Sequence, residues 1–254
     1  MSLNRKPQSL IVQIVDVTLI ELTNWRWTWR TMLLLGVITP LSSMVAAKFL
    51  LTQTRPDDIA FVYCGNVLLC LMFENQHKVG GHFVFMRFHG ALDYFGSLPI
   101  NKLTLIFSMA LAFLVLSIPS VIVVVIGGAL LLGIPLNPHP MILLIIPLCA
   151  ISLAGLGALV GALARTTAEA TSLGLLVTLL LSGAGAVIIP PDRLPKWLVQ
   201  LGVLNPATYA SSALRQALLG GATTYRTNIP LLIAFGIASF WVASRTIEWR
   251  KTRS

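Results

Sequence analysis

The chain has 254 residues, of which 56% are hydrophobic and 11% charged, with a mean hydropathy of +0.83 and a formal net charge of +9. So few charges cannot cover a soluble surface, and so much apolar surface exceeds what one core buries, which excludes a water-soluble domain. The positive charge does not signal nucleic acid, because Lys and Arg lie between or beside apolar runs and form no continuous basic face.

Taken in chain order, residues 1–30 come first. A basic start is followed by Asp16 and Glu21, where a cleaved leader needs an unbroken apolar stretch, so the segment is expected to be retained. Leu10, Ile14, Val17, Leu22 and Trp25 recur at approximate helical spacing, with Asp16, Glu21 and Arg26 between them. That pattern predicts a helix lying in the membrane interface, with a simple flanking anchor as the alternative. Trp25, Trp27 and Trp29 would then mark the headgroup level.

A helix crossing roughly 30 Å of hydrocarbon needs about 20 apolar residues. Six such crossings can be placed, at 31–51, 59–83, 103–130, 141–163, 171–190 and 229–247. Pro40, Pro119 and Pro147 fall inside them, where lipid-buried helices tolerate proline. The expected fold class is all-α: one polytopic transmembrane domain over residues 1–254. With the N-terminus inside, Arg5, Lys6, Arg26, Arg30, Lys78, Arg87, Lys102, Arg165, Arg245, Arg250, Lys251 and Arg253 gather on the inner side. Both termini are therefore expected to be cytoplasmic, in a cell's inner (cytoplasmic) membrane.

The second crossing is unusual. Glu74, Asn75, Gln76, His77 and Lys78 interrupt it, and Asn66, Cys70, Glu74, His77, Lys78 and Gly81 recur at helical spacing as one polar stripe. Ionisable groups in lipid cost about 2.5–3.5 kcal/mol each on insertion scales, so the stripe should face protein or water. Glu74 and Lys78 stand four apart, in the favourable order for an ion pair. Two readings are open: Asn66, Glu74, His77 and Lys78 line a translocation path, or the pair neutralises itself and packs the spans. In the fourth crossing, Gly157 and Gly161 form a small-xxx-small spacing beside Gly155, which allows close helix approach within the chain or between chains.

Segment 190–226 is too long for a tight hairpin and too interrupted for a seventh crossing. Leu194, Trp197, Leu198 and Leu201 make one apolar face, and 207–219 looks helical again. Short external re-entrant helices fit, provided that they pack on the other spans or on a second subunit.

Two stretches carry more specific information. Gly90-Ala91-Leu92-Asp93-Tyr94-Phe95-Gly96-Ser97-Leu98-Pro99-Ile100, in the 85–101 region before the third crossing, resembles the G-T-L-E-x-L-x-x-T-P-I stretch of type-2 ABC transporter permeases. Leu194-Pro195-x-Trp197, then Asn205-Pro206-Ala207-Thr208-Tyr209 and Arg215, is similar to that family's L-P-x-W … N-P-x-T-Y … R pattern before the last span. Ala91, Asp93 and Phe95 depart from the family's usual Thr, Glu and Leu, and Phe88-His89 stands where a charged pair often precedes the glycine.

The resemblance implies that Gly90, Leu92, Asp93, Phe95 and Pro99 belong to a cytoplasmic coupling helix that docks on an ATPase. Leu92 and Phe95, three apart, would supply its apolar knob, and Pro99 would stop it. It also implies an external gate built from Leu194, Pro195, Trp197, Asn205, Pro206, Tyr209 and Arg215. No Gly-x-x-x-x-Gly-Lys-Ser/Thr stretch occurs, so ATP and Mg are expected on a separate nucleotide-binding subunit and no cofactor on this chain. A second permease copy, forming a homodimer, and membrane lipid complete the expected partners; nucleic acid is not among them.

The resulting expectation is an ATP-driven exporter subunit for an amphipathic drug, antibiotic or lipid-like molecule. A lipid-linked glycan exporter or a stand-alone secondary transporter are the alternatives. Membrane-embedded catalysis is not expected: Gly96-Ser97 and His139 fall on opposite sides, and the acidic residues are scattered. His77, His82 and His89 bring no compact set of further ligands for a metal. Cys64, Cys70 and Cys149 read as small hydrophobes inside apolar runs.

Overall fold

A computed structural model describes residues 9–25, 29–50, 55–98, 100–220 and 225–247, and among them the chain is overwhelmingly helical with no strand. Helix α1 (Leu10–Trp25) precedes α2 (Trp29–Leu50). A single rod follows, in which α3 (Pro56–Leu71), a π-helical stretch (Met72–His77) and α4 (Lys78–Phe88) run on without a break. After the short α5 (Ala91–Ser97) come the central helices α6 (Lys102–Leu132) and α7 (Ile142–Leu163). Then follow α8 (Thr167–Gly183), α9 (Lys196–Gly202), α10 (Pro206–Leu219) and α11 (Tyr225–Thr246).

Among the described residues, Lys102–Leu132, Ile142–Leu163 and Thr227–Thr246 are each long and apolar enough to cross a bilayer, while Gly36–Phe49 and Thr167–Gly183 are apolar but shorter. The rod from residue 56 to 88 is about 50 Å long at 1.5 Å per residue, ample for a crossing despite its polar middle.

Two apolar clusters hold the helices together. Towards one end, Met44, Tyr63, Leu68, Ile145, Cys149 and Leu214 interlock α2, α3, α7 and α10. Towards the other, Val79, Phe83, Met86, Leu105, Phe113 and Phe240 join α4, α6 and α11. The three cysteines are free and buried.

Where the observed ends differ from those expected, polar side chains explain it. The fifth expected crossing, 171–190, starts earlier and stops earlier as α8. Thr166 caps its start by accepting the Glu169 N–H at 3.1 Å, and the Glu169 carboxylate accepts the Arg165 N–H at 2.8 Å. At its far end the Asn205 amide takes the Leu181 carbonyl at 2.6 Å and also the Ala184 carbonyl, ending the helix before the expected boundary.

The face assigned to α1 requires correction. Gln13, Val17 and Glu21 turn inward and are buried, whereas Leu10, Ile11, Val12, Val15, Leu19 and Ile20 are exposed. Asp16 and Thr23 are exposed among them, so the outward side of α1 is mainly apolar but carries polar groups, while Gln13 and Glu21 are held in protein. Ser108 fixes α1 to α6 by donating to the Ile14 carbonyl at 3.2 Å, and Glu21 meets His82 of α4 at 2.8 Å. The expected tryptophan belt cannot be placed: Trp27 lies outside the described residues, as do the side chains of Trp25 and Trp29.

Candidate functional site

The polar residues of the rod coincide with its change of helical type. A π turn takes in one extra residue, which rotates the following helix relative to the preceding one. Glu74, Asn75 and Gln76 are consecutive, yet all three are buried, pointing at different neighbours. Asn75 donates to the Leu71 carbonyl at 3.2 Å and to Ser117 of α6 at 3.4 Å. Gln76 donates to the Gly174 carbonyl and to the Thr178 hydroxyl of α8, both at 3.4 Å. Glu74 forms the expected ion pair with Lys78 and lies against Gly36 of α2, where any Cβ would collide with its carboxylate.

The expected stripe is therefore split. Asn66 is fully buried and donates to the Val62 carbonyl of its own helix at 2.8 Å. His77 and Lys78 are half-buried, His77 lying beside Gly174. Glu74 is the packed member of the pair and Lys78 the one near the surface. Asn75 and Gln76, absent from the stripe, make the contacts between helices; only the π register turns them inward, and nothing in the residue order signals that register.

Close packing surrounds this segment. Gly157 and Gly161 of α7 face the backbone of Gln76 and Gly80, so that a Cβ on either would meet main-chain atoms. Gly155 faces Ser239 and Phe240 of α11. All three glycines thus serve packing within this chain, in agreement with the intramolecular reading of their spacing.

At the end of the rod, Gly90 takes a left-handed φ of 72° that lets the chain reverse into α5. Arg87 joins the rod to α7 by donating to the carbonyls of Gly161 at 2.9 Å, Ala162 at 3.1 Å and Ala164 at 2.7 Å. Those are last-turn groups with no partner in their own helix. Lys102 does the same for α11 through the Ile247 carbonyl at 2.6 Å. Both residues had registered in the sequence only as inner-side charges.

The expected knob on α5 is corrected as well. Leu92 and Phe95 are 3% and 5% exposed and pack inward against the second apolar cluster. Asp93, Tyr94 and Leu98 face outward, Tyr94 being 63% exposed. Helical spacing correctly puts Leu92 and Phe95 on one face, but spacing alone does not say which way that face turns. Pro99 lies outside the described residues.

At the opposite end, the Asn-Pro-x-Thr-Tyr stretch is a turn-and-cap device. Asn205 accepts the Ala207 N–H at 2.9 Å, Pro206 occupies the first turn, and the Tyr209 hydroxyl donates to the Val203 carbonyl at 2.6 Å. It launches α10, whose Ala207, Ala210, Ala213, Leu214 and Ala217 are buried among the other helices. Arg215 lies over the Phe61 ring, 3.7 Å from its centroid. Arg193, just before Leu194 and Pro195, reaches Asp58 of α3 at 2.5 Å, a link the sequence did not suggest. Trp197 and Leu201 stay exposed while Leu194 and Leu198 are half-buried, so the expected single face of α9 is divided.

Residues 13–219 match the sequence profile of the ABC-2 type transporter family. The chain belongs to that family. It is thus the membrane subunit, or permease, of an ABC transporter, a class of protein that works with an ABC ATPase. The matched stretch runs from the first turn of α1 to the end of α10, and so takes in the π turn and α5. A comparison with curated proteins gives no match.

Proposed function

We propose that this permease is the membrane half of an ATP-driven exporter for an amphipathic drug, antibiotic or lipid-like molecule. Six crossings are formed by α2, the α3–α4 rod, α6, α7, α8 and α11, with both termini and α5 at the cytoplasmic face of the inner membrane. Two copies pair, and the path runs beside the partly open edge of the polar segment, at His77 and Lys78. ATP and Mg sit on the separate ATPase, and the α9–α10 segment gates the outer end.

The observation that carries this reading is the construction of the coupling region. α5 is held through Leu92 and Phe95 to the inner apolar cluster, and Arg87 bonds the rod beside it to the end of α7. A push on α5 is therefore delivered to several helices at once, while Asp93, Tyr94 and Leu98 remain available to a partner.

Co-purification with the cognate ATPase and reconstitution into vesicles tests it, with ATP-dependent uptake of a fluorescent amphipathic cation as the readout. Tyr94→Ala is expected to lower ATP-driven uptake at least roughly tenfold, as for loss of an exposed aromatic anchor, with unchanged melting. Leu92→Ala should instead lower stability, by about 2–5 kcal/mol. Uptake driven by an ion gradient without ATP overturns the exporter reading.

A further inference from the structure

A cleft lies away from the polar segment. It is an apolar groove of about 500 Å³ between α1, α6, α7 and α11, with Ile14, Phe107, Ile151, Ile237, Phe240 and Trp241 in its walls. Its polar wall side chains are Thr104 and Ser152, and the Ser152 hydroxyl is already engaged with the Leu232 carbonyl at 3.0 Å. Ile237 and Trp241 are 67% and 56% exposed, so the groove opens outward along α11.

Its shape and its charge name the same occupant. Between Ile233 and Trp241, α11 advances about 12 Å, close to the depth of one leaflet of a roughly 30 Å hydrocarbon core. At the Trp241 end, Arg245 stacks on the indole, 5.3 Å from the ring centroid. Beyond it the sequence adds Arg250, Lys251 and Arg253 against the single acid Glu248. Asp16 of α1 is not among the lining residues. An apolar slot one leaflet deep with an exposed cation at its rim has the chemistry to take an acyl chain below and a phosphate above.

We propose that this groove is a binding site for an anionic phospholipid of the leaflet nearest α5. One acyl chain lies between α1 and α11, and Arg245 holds the phosphate. The lipid then fills the gap between α11 and α1, steadying α1 against the bundle.

The test uses the full chain in nanodiscs of phosphatidylcholine containing a minor share of phosphatidylglycerol, followed by release and native mass spectrometry. Wild type is expected to retain phosphatidylglycerol in preference to phosphatidylcholine. Arg245→Gln should reduce that preference roughly fivefold, the effect of one basic residue at a charged membrane surface. Ile237→Trp, which fills the groove from an exposed position, should abolish retention of both lipids, whereas Leu130→Trp on the exposed face of α6 should leave retention intact. Equal retention of the two lipids by wild type, or retention unchanged in Ile237→Trp, overturns the proposal. If Ile237→Trp fails to fold, the wild-type comparison decides by itself.

Discussion

Replacing Gly157 with Ala adds one methyl group where α7 crosses the π turn. The new Cβ would stand 2.8 Å from the Gln76 carbonyl carbon and 2.9 Å from its Cα, while ordinary contact between carbon atoms is about 3.5–4.0 Å. These are main-chain atoms, so no rotamer change relieves the overlap and the helices must part by roughly 1 Å. Overpacking of this kind costs about 1–3 kcal/mol. Here the upper half of that range is expected, because separation also disturbs Gly161 against Gly80 and the bonds of Gln76 to α8. For a chain of this size, about 2–4 °C per kcal/mol puts the melting temperature about 4–12 °C below wild type.

Gly81→Ala is the matched control: its Cβ would meet nothing within 4 Å, and a helix interior gains about 0.5–1 kcal/mol from the exchange. Thermal unfolding of both variants, followed by size-exclusion chromatography in detergent, gives the comparison. The reasoning is refuted if Gly157→Ala melts with wild type or if Gly81→Ala falls as far.

Lys78→Met alone is expected to destabilise by about 3–5 kcal/mol, since it leaves the buried Glu74 carboxylate without its partner, and Glu74→Gln by less, because Lys78 is only half-buried. The double variant should recover most of that loss; unchanged transport by a normally assembled double variant would eliminate these residues from the path. Arg87→Gln should cost about 2–3 kcal/mol and loosen the end of α7, seen as faster amide hydrogen exchange over 160–164, because a charged donor to terminal carbonyls is lost. Exchange at wild-type rates would remove Arg87 from that role. Asn205→Ala removes a helix cap and two further donor bonds, for an expected loss of about 2–3 kcal/mol with α8 fraying after Leu180; a melting curve superimposable on wild type argues against it.

Much of this protein could be read from residue order, because the bilayer imposes a one-dimensional rule. A crossing helix must satisfy its backbone internally and be apolar for about 20 residues. That rule placed the expected crossings close to observed helices, apart from the fifth, whose helix α8 ends seven residues early at Gly183, and three of these helices are long and apolar enough to cross among the described residues; the helix expected over 207–219 is α10. The i,i+4 order likewise foretold the pairing of Glu74 with Lys78.

What escaped the sequence were the directions in which faces turn. Lipid removes the usual cue that apolar means inward, so α1 could present Leu19 and Ile20 outward and hide Glu21, and α5 could turn Leu92 and Phe95 towards the bundle, leaving Tyr94 outside. The π turn at Met72–His77 was hidden for a related reason: its register is chosen by the neighbours that receive Asn75 and Gln76, through contacts with residues 42 to 102 positions away in the chain. Helix content and span position follow from local chemistry under the bilayer's constraint; helix rotation and partner choice were decided only when the helices packed.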